Sequence, residues 1–491
     1  MTVLAIDAGT TGVTALLVTA DGTIAARGYE EFAQHFPEPG WVEHEPEQIW
    51  QATLSACRQA LAARDVEAPT AVGITNQRET AVLWDRNSLA APRRAIVWQD
   101  RRTTDVCTRL RDDGHEPRVT ELTGLRLDPY FTGTKLAWLA AHDDSWDGVL
   151  AGDVVVGTVD SYLIARLTAG RVHATDPSNA SRTLLYDLTT NAWSEELCEL
   201  LDVPVTALPE IRRSSGDFGH TEPAAFLGLD LPIAGVAGDQ QAALFGQACF
   251  DAGASKCTYG TGSFVLVNTG SKIVRSDAGL LTTVAWDIGD GVVYALEGAI
   301  FVTGAAIQWL RDGLRIIDTA AETDALARTV NDTGGVVFVP ALTGLGAPHW
   351  DPDARGAILG LTRGTTRAHL VRAALEAIAF EVRDVVDVMT RDARIHLPEL
   401  SVDGGASAND LLCQLQADQL QVAVRRPQVA ETTALGAAFL AGLATGTWSS
   451  TAELAETWRL DRRFEPGLRD DTGYDRWRAA VERSKGWAAG R

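Results

Sequence analysis

"IDAGTTGVTALLV", Ile6 to Val18, is the stretch that decides the fold class. An apolar run ends on Asp7, the small residues Gly9, Thr10, Thr11 and Gly12 follow, and a second apolar run opens at Val13. β-Branched residues on either side of a glycine-bearing break predict strands at 3–6 and 13–18 joined by a tight turn. "TADGT", Thr19 to Thr23, supplies the next turn. The first turn offers backbone N–H groups and the hydroxyls of Thr10 and Thr11. Such donors suit phosphate oxygens, and Gly9 lets a ligand approach the backbone closely. Asp7, at the strand end, suits a magnesium ion held through water, because Mg²⁺ prefers carboxylates and keeps several waters. Taken alone, an ordinary hairpin accounts for the stretch better.

The second half of the chain changes that balance. "SKCTYGTGSFVLVNTG", Ser255 to Gly270, repeats the layout of strand, Gly-Thr-Gly turn and apolar strand. Between and after these units, strand and helix signals alternate. Trp50, Leu54, Cys57 and Leu61 recur at helical spacing behind Pro46, which is well placed for a first turn. "AVGITNQRET", Ala71 to Thr80, reads as a buried strand running into a polar loop. Val371, Ala374, Leu375, Ile378, Val382, Val385 and Met389 mark one face of a long helix at 368–390. "LSVDGGASANDLL", Leu400 to Leu412, reads as a strand, a Gly-Gly turn and a helix at 409–420. The fold class is therefore α/β, as two similar domains, 1–247 and 248–491, with a cleft between them. Two phosphate-type turns in corresponding places describe a nucleoside triphosphate gripped across that cleft, with Thr261 as the second contact. A dinucleotide fingerprint is excluded by the missing third glycine at "YGTGSF", and no G-x-x-x-x-G-K-[ST] loop occurs. "DGGASAN", Asp403 to Asn409, either lets a flat adenine lie on Gly405 beside Asn409, or ends in a helix cap.

Bulk properties remove several classes of partner. A formal charge of −22 over 491 residues repels nucleic acid and anionic lipid. No apolar run approaches the roughly 20 residues of a membrane helix, and no signal peptide precedes Asp7. The six cysteines form no C-x-x-C pair and read as reduced, partly buried thiols. These features predict a soluble cytoplasmic protein acting on small molecules.

"GVAGDQQAALFGQ", Gly235 to Gln247, reads as a strand, a small-residue turn and a helix opening at Asp239. A carboxylate at that end is either a helix cap or the base that takes a hydroxyl proton during phosphoryl transfer. "NQRET", Asn76 to Thr80, puts Arg78 beside Glu79 on a loop. Successive residues of extended chain point opposite ways, so no salt bridge between them is expected. A donor fork next to a carboxylate suits a polyhydroxylated ligand. Trp98 in "IVWQDRRT" and Tyr130 in "LDPYFTGTK" add aromatic surface, which in such loops is more often core.

"GWVEHEPEQIW" (Gly40 to Trp50), "GITNQRET", "AIVWQDRRT", "DPYFTGTK", "GTVDSYLI" (Gly157 to Ile164) and "SNASRT" (Ser178 to Thr183) follow one another along the first half. "TYGTGSF", "ALEGAIFVTGAAIQWLRD" (Ala295 to Asp312), "TGLGAPHWDPDARGAILGLTRG" (Thr343 to Gly364) and "ETTALGAAFLAGLA" (Glu431 to Ala444) continue the series. In this order they closely resemble the FGGY carbohydrate kinase family, and within it the members that phosphorylate glycerol. The resemblance implies two actin-like ATPase (ribonuclease H-like) domains with a catalytic cleft between them. It also implies ATP-dependent conversion of glycerol to sn-glycerol 3-phosphate with Mg²⁺, and a homodimer or homotetramer. Carried over by position, Arg78, Glu79, Tyr130, Asp239 and Gln240 would hold the glycerol hydroxyls, with Asp239 as base. Trp98 and Phe264 would wall the carbon backbone. Thr10, Thr11, Gly12, Thr261, Gly304, Gln308, Gly405 and Asn409 fall on nucleotide contacts, and Asp7 and Asp239 on the metal.

Two departures stand out. Ala8 and Thr14 occupy positions where these kinases typically carry Gln and Arg. Losing an arginine contact to phosphate removes about 1.5–3 kcal/mol, roughly 10- to 150-fold in rate if all of it acts in the transition state. The segment "GHTEPAAFLGLD" before Leu231 lacks the glycine- and arginine-rich loop that binds fructose 1,6-bisphosphate in some relatives, which predicts no inhibition by that sugar. The altered turn leaves open another small polyol or ketose as acceptor, or an ATPase without kinase activity.

Overall fold

The computed structural model describes residues 1–64 and 66–489. Two sheets carry the fold. The first has five strands in the order Ile233–Gly238, Pro69–Asn76, Thr2–Ala8, Gly12–Thr19, Ile24–Glu31. Its first three run parallel, and the last three form an antiparallel meander. The second has seven strands, and five of them repeat that plan: Ala423–Pro427, Glu399–Asp403, Ser255–Tyr259, Ser263–Gly270, Val292–Ile300. The same pairings are parallel and the same antiparallel. Leu281–Asp287 and Leu460–Phe464 extend the two edges. This duplicated order is that of the actin-like ATPases, and it explains why the two glycine turns occupy matching places.

The elements form for the reasons their sequences suggest. The opening hairpin runs Thr2–Ala8 to Gly12–Thr19, with Asp7 directly opposite Thr14. Pro46 stands at the start of the helix Pro46–Leu61, which buries Ile49, Trp50, Leu54, Cys57 and Ala60. The helix Arg367–Ala393 is capped by Thr366 and His369 and buries the predicted apolar face. All six cysteines are free and buried. No helix among the described residues is long and apolar enough to cross a membrane.

One crossing ties the halves together. The sheets draw their strands from residues 2–238 and 255–464, yet the helix Thr432–Thr445 lies on the first sheet and against the helix Asp239–Gly246. The approach is backbone to backbone. A Cβ on Gly436 would stand 1.9 Å from the Ala242 carbonyl, and one on Gly73 would stand 2.1 Å from that of Ala437. Only glycine tolerates such contacts. The C-terminal half therefore helps to seat Asp239, at the carboxyl end of a first-sheet strand, where open α/β sheets place their ligands.

Candidate active site

The first turn is closed by the Gly9 amide donating to the Gly12 carbonyl at 3.0 Å. Gln77 Nε2 donates to the Gly9 carbonyl at 3.1 Å and Gln34 Nε2 to that of Thr10 at 3.3 Å. The Phe32 amide donates to the Thr11 carbonyl at 3.3 Å. With its carbonyls taken, the turn has its donors left to offer a ligand. Trp98 Nε1 donates to Thr10 Oγ1 at 3.0 Å, so the threonine keeps its own proton to give away. A Cβ on Gly12 would meet the Glu30 carbonyl at 2.6 Å and the Tyr29 ring at 2.9 Å, so this position admits glycine alone.

The second turn has its carbonyls satisfied in a matching way. Gly260 donates to Gly262 at 2.8 Å, while the amides of Thr303, Gly304 and Ala305 donate to the carbonyls of Gly260 and Thr261. The first amides of the helix Gly304–Asp312, which lack partners within the helix, thus hold the turn. Beside it opens a cavity of about 540 Å³. Thr261, Gly304, Gln308, Gly405 and Asn409, all five nucleotide positions expected from the second half, line it together. Ile307, Leu375, Ile378 and Leu412 give it apolar wall, and nothing lies within 4 Å of where a Gly405 Cβ would be. Asn409 is also a helix cap. Its Oδ1 accepts from Leu412 N at 2.9 Å and its Nδ2 donates to Thr323 at 3.0 Å, which leaves one N–H and one lone pair for a ligand.

Between the turns lies a floor of charged side chains, with Arg78 at its centre. Its Nε stands 3.0 Å from Asp239 Oδ1. Nη1 reaches Gln241 at 3.2 Å, and Nη2 reaches the Tyr130 hydroxyl at 3.4 Å. Both Nη atoms pair with Glu297, at 2.5 and 3.1 Å. The guanidinium also lies 5.7 Å from the Phe264 ring. Trp98 meets Tyr130 edge to face at 5.7 Å. Lys135 Nζ donates to the Tyr130 carbonyl at 2.6 Å, which fixes that loop. Gln240 takes the buried Lys256 ammonium on its side-chain oxygen. Trp98 and Tyr130 therefore belong both to the core and to the floor, and Trp98 presents a polar edge as well as an apolar wall.

One expectation is overturned. Arg78 and Glu79 do interact, with Nε and Oε1 3.8 Å apart. Glu79 has φ of 61°, in the left-handed region, so the alternation of extended chain does not apply. Its carboxylate is held chiefly by Arg182 Nε at 2.6 Å, and its carbonyl accepts from Thr132 Oγ1 at 3.1 Å. Burial pushes the Glu79 carboxyl upward against the pull of the two arginines.

Asp239 is the first residue of its helix and not the N-cap. Gly238 is the N-cap residue, and the Asp239 carboxylate accepts from the Gln240 amide at 2.7 Å and pairs with Arg78. It is 29% exposed, the one carboxylate of the floor open to the cleft. Its strand end is fixed from behind. The Gly238 amide donates to Ser178 Oγ at 2.9 Å, and Ser178 donates to the buried Asp176 at 2.9 Å. Burial, and in smaller part the charge of Asp239, push the Asp7 carboxyl up to about 7. A carboxyl that is costly to ionise, in part because of a second carboxylate, suits a cation shared between them. No group of three or more metal-ligating side chains exists among the described residues. That donor set fits Mg²⁺, which takes one or two carboxylates and fills the rest with water and phosphate oxygens.

The chain matches the N-terminal domain of the FGGY family of carbohydrate kinases over residues 2–246 and its C-terminal domain over 255–445. It belongs to that family. A glycerol kinase of Xanthomonas campestris pv. campestris is 53% identical, across 99% of this chain and 98% of its own. One of Symbiobacterium thermophilum is 54% identical, across 99% of each. Among solved structures, Plasmodium falciparum glycerol kinase with ADP superposes with a TM-score of 0.90 at 35% identity, covering 98% of both chains. Gluconate kinase of Lactobacillus acidophilus reaches 0.87 at 22% identity, a likeness of fold alone.

Sequence reasoning missed four members of the floor, namely Arg182, Gln241, Lys256 and Glu297. A usable signal was present. Glu297 stands inside "VVYALEGAI" and Lys256 inside "SKCTY", each an ionisable group within a strand that must be paired if buried.

Proposed function

We propose that this chain is an ATP-dependent glycerol kinase, forming sn-glycerol 3-phosphate, with Asp239 as general base. The observation that carries the reading is Arg78, which touches Glu79, Tyr130, Asp239 and Phe264 at once, between the two glycine turns. A small neutral triol needs donors and acceptors fixed at close quarters on one side and apolar surface on the other. Arg78, Glu79, Tyr130 and Gln240 provide the former, Trp98 and Phe264 the latter. The N-terminal half, to about residue 247, carries this acceptor site and the first phosphate turn. The C-terminal half carries the nucleotide cavity. Full-length relatives at 53–54% identity that bear the name glycerol kinase support the choice of acceptor.

In the reaction, Asp239 accepts the proton of the attacking hydroxyl as that oxygen bonds to the γ-phosphorus and the bond to ADP breaks. The protein's part is alignment and neutralisation, as in phosphoryl transfer generally. Thr10, Thr11 and the Gly12 turn on one side, and Thr261 on the other, hold the phosphates. Gly304, Gln308, Gly405 and Asn409 seat the nucleoside. Asp7 and Asp239 would hold Mg²⁺, which supplies charge neutralisation on the phosphate oxygens when bound. Closure of the two halves over both substrates excludes water, so that ATP is not hydrolysed.

Turnover with ATP across glycerol, dihydroxyacetone, erythritol and xylulose tests the reading, and glycerol should give the highest kcat/KM. A higher value on another acceptor would move the chain to a different kinase of the family, the reading that Thr14 favours. ATP binding without turnover on any acceptor would remove the kinase reading altogether.

A further inference from the structure

The placement of Arg78 is decided by a residue of the other half of the molecule. Glu297 sits inside the strand Val292–Ile300 of the second sheet, with its carboxylate fully out of water. Its two oxygens accept from both Nη atoms of Arg78, and Oε1 also accepts Arg182 Nη2 at 2.9 Å. Arg182, equally buried, donates its Nε to Glu79. One carboxylate thus holds Arg78 directly and Glu79 through Arg182. A buried charge of this kind is retained only when well paired, and removing one partner leaves the others uncompensated.

The fork has a geometric consequence. With Nη1 and Nη2 committed to Glu297, the plane of the Arg78 guanidinium is set and only Nε–H remains for Asp239. Asp239 then meets Arg78 through a single nitrogen and keeps its second oxygen for the acceptor. Without Glu297, only the neutral partners Gln241 and Tyr130 hold the two Nη atoms, at 3.2 and 3.4 Å, against the bidentate pairing with Asp239 that guanidinium and carboxylate prefer. That pairing would occupy both oxygens of the base.

We propose that Glu297 is a positioning residue for phosphoryl transfer: it orients Arg78 and, through Arg182, Glu79, so that a second-sheet side chain sets the acceptor site of the first half. This rests on the kinase reading above. It differs from a general structural role because it predicts losses confined to the acceptor side. Gly304, Gln308 and Gly405 line the nucleotide cavity, whose lining does not include Arg78, Glu79, Arg182 or Glu297, so nucleotide affinity should be spared.

The test is steady-state kinetics of full-length Glu297→Gln and Glu297→Asp with glycerol and ATP varied separately, beside ADP binding by calorimetry. Glu297→Gln should lower kcat/KM for glycerol by roughly 10- to 150-fold, the worth of a charge-assisted pair. The loss should appear in kcat as well as KM, while the Kd for ADP stays within about threefold. If that variant does not fold, Glu297→Asp decides. It keeps the charge but draws the carboxylate back by one methylene, and should lower kcat/KM for glycerol by roughly tenfold with ADP binding spared. Wild-type glycerol kinetics in the variant that folds, or equal losses on the glycerol and nucleotide sides, would overturn the proposal. Wild-type protein active only on another acceptor would sink the choice of glycerol, and the same split would then be scored on that acceptor. A wild type inactive on every acceptor would overturn both.

Discussion

The acceptor floor and the nucleotide cavity are built from opposite materials. The floor is made of side chains. Arg78, Glu79, Tyr130, Arg182 and Glu297 are all 5% exposed or less and are joined by charge-assisted hydrogen bonds, with Arg182 Nη1 alone of its nitrogens left without a partner among the described residues. The cavity joins a glycine turn, a helix N-terminus and Gly405 to an apolar wall of Ile307, Leu375, Ile378 and Leu412 around about 540 Å³ of space. The difference follows from the proposed ligands. A neutral triol offers no charge, so its recognition depends on donors and acceptors that are already fixed and desolvated. A nucleotide offers phosphates for amides and a flat ring for an open wall. Changes of charge should therefore be costly on the floor, and changes of volume costly in the cavity.

The sharpest way to break that comparison is at Asp239, where the floor meets the transferred group. Asp239→Asn keeps size and a hydrogen-bonding group but removes the proposed base, and should lower kcat by about 10²- to 10⁴-fold. Glycerol binding, read by calorimetry, should remain detectable. A rate close to wild type would remove Asp239 from the role. On the cavity side, Gly304→Ala would bring a Cβ to 2.6 Å from the Gly260 carbonyl, a backbone atom that cannot swing away. The turn must shift, and KM for ATP should rise by roughly ten- to a hundredfold, the range that displacements near 1 Å produce. KM for glycerol should stay within about twofold. Equal rises in both would mean that the two regions do not act separately.

A smaller effect is expected at the first turn. Thr14 is partly buried, lies opposite Asp7 on one side and Tyr29 on the other, and occupies the position where the family resemblance implies an arginine. Thr14→Arg should raise kcat with glycerol by roughly tenfold, the lower end of a restored charge-assisted contact. An unchanged or lower rate would mean that the turn works with backbone and hydroxyl donors alone.

The fold was legible because its signals are local. A glycine turn between β-branched runs, met twice at matching places, specifies the duplicated hairpin without reference to anything distant. The five second-half positions expected to meet the nucleotide converge because Thr261, Gly405 and Asn409 sit at turns beside strand ends, while Gly304 and Gln308 lie on the helix that packs against the first of those turns. The floor was less legible, since its members are brought together by strand pairing that sequence spacing does not encode. Glu297 lies 219 residues from Arg78. The pairing of Arg78 with Glu79 was misjudged because Glu79 leaves the extended region, which nothing in "NQRET" announces. Asn409 shows a third case, in which two readings treated as alternatives, cap and cavity wall, are both met by one side chain.

The least of the expected effects concerns the metal, and it joins the two regions. Burial and Asp239 push the Asp7 carboxyl up to about 7, far above its value in an unfolded chain. Between about pH 4 and 7 the folded protein therefore keeps a proton that the unfolded chain has released. Stability contributed by this group falls as pH rises through that window, and the cost of a buried Asp7 carboxylate under the influence of Asp239 is fully present above 7. A cation shared by Asp7 and Asp239 offsets that cost, whereas at lower pH the proton already does so. Mg²⁺ should thus raise the melting temperature more at pH 8 than at pH 5.5, by about 1–2 °C for a chain of this size at roughly tenfold saturation. Asp7→Asn should remove the difference between the two pH values. An increment that is equal at both, or that survives in Asp7→Asn, would place the metal elsewhere and leave the Asp7–Asp239 pair as a cost the fold carries unaided.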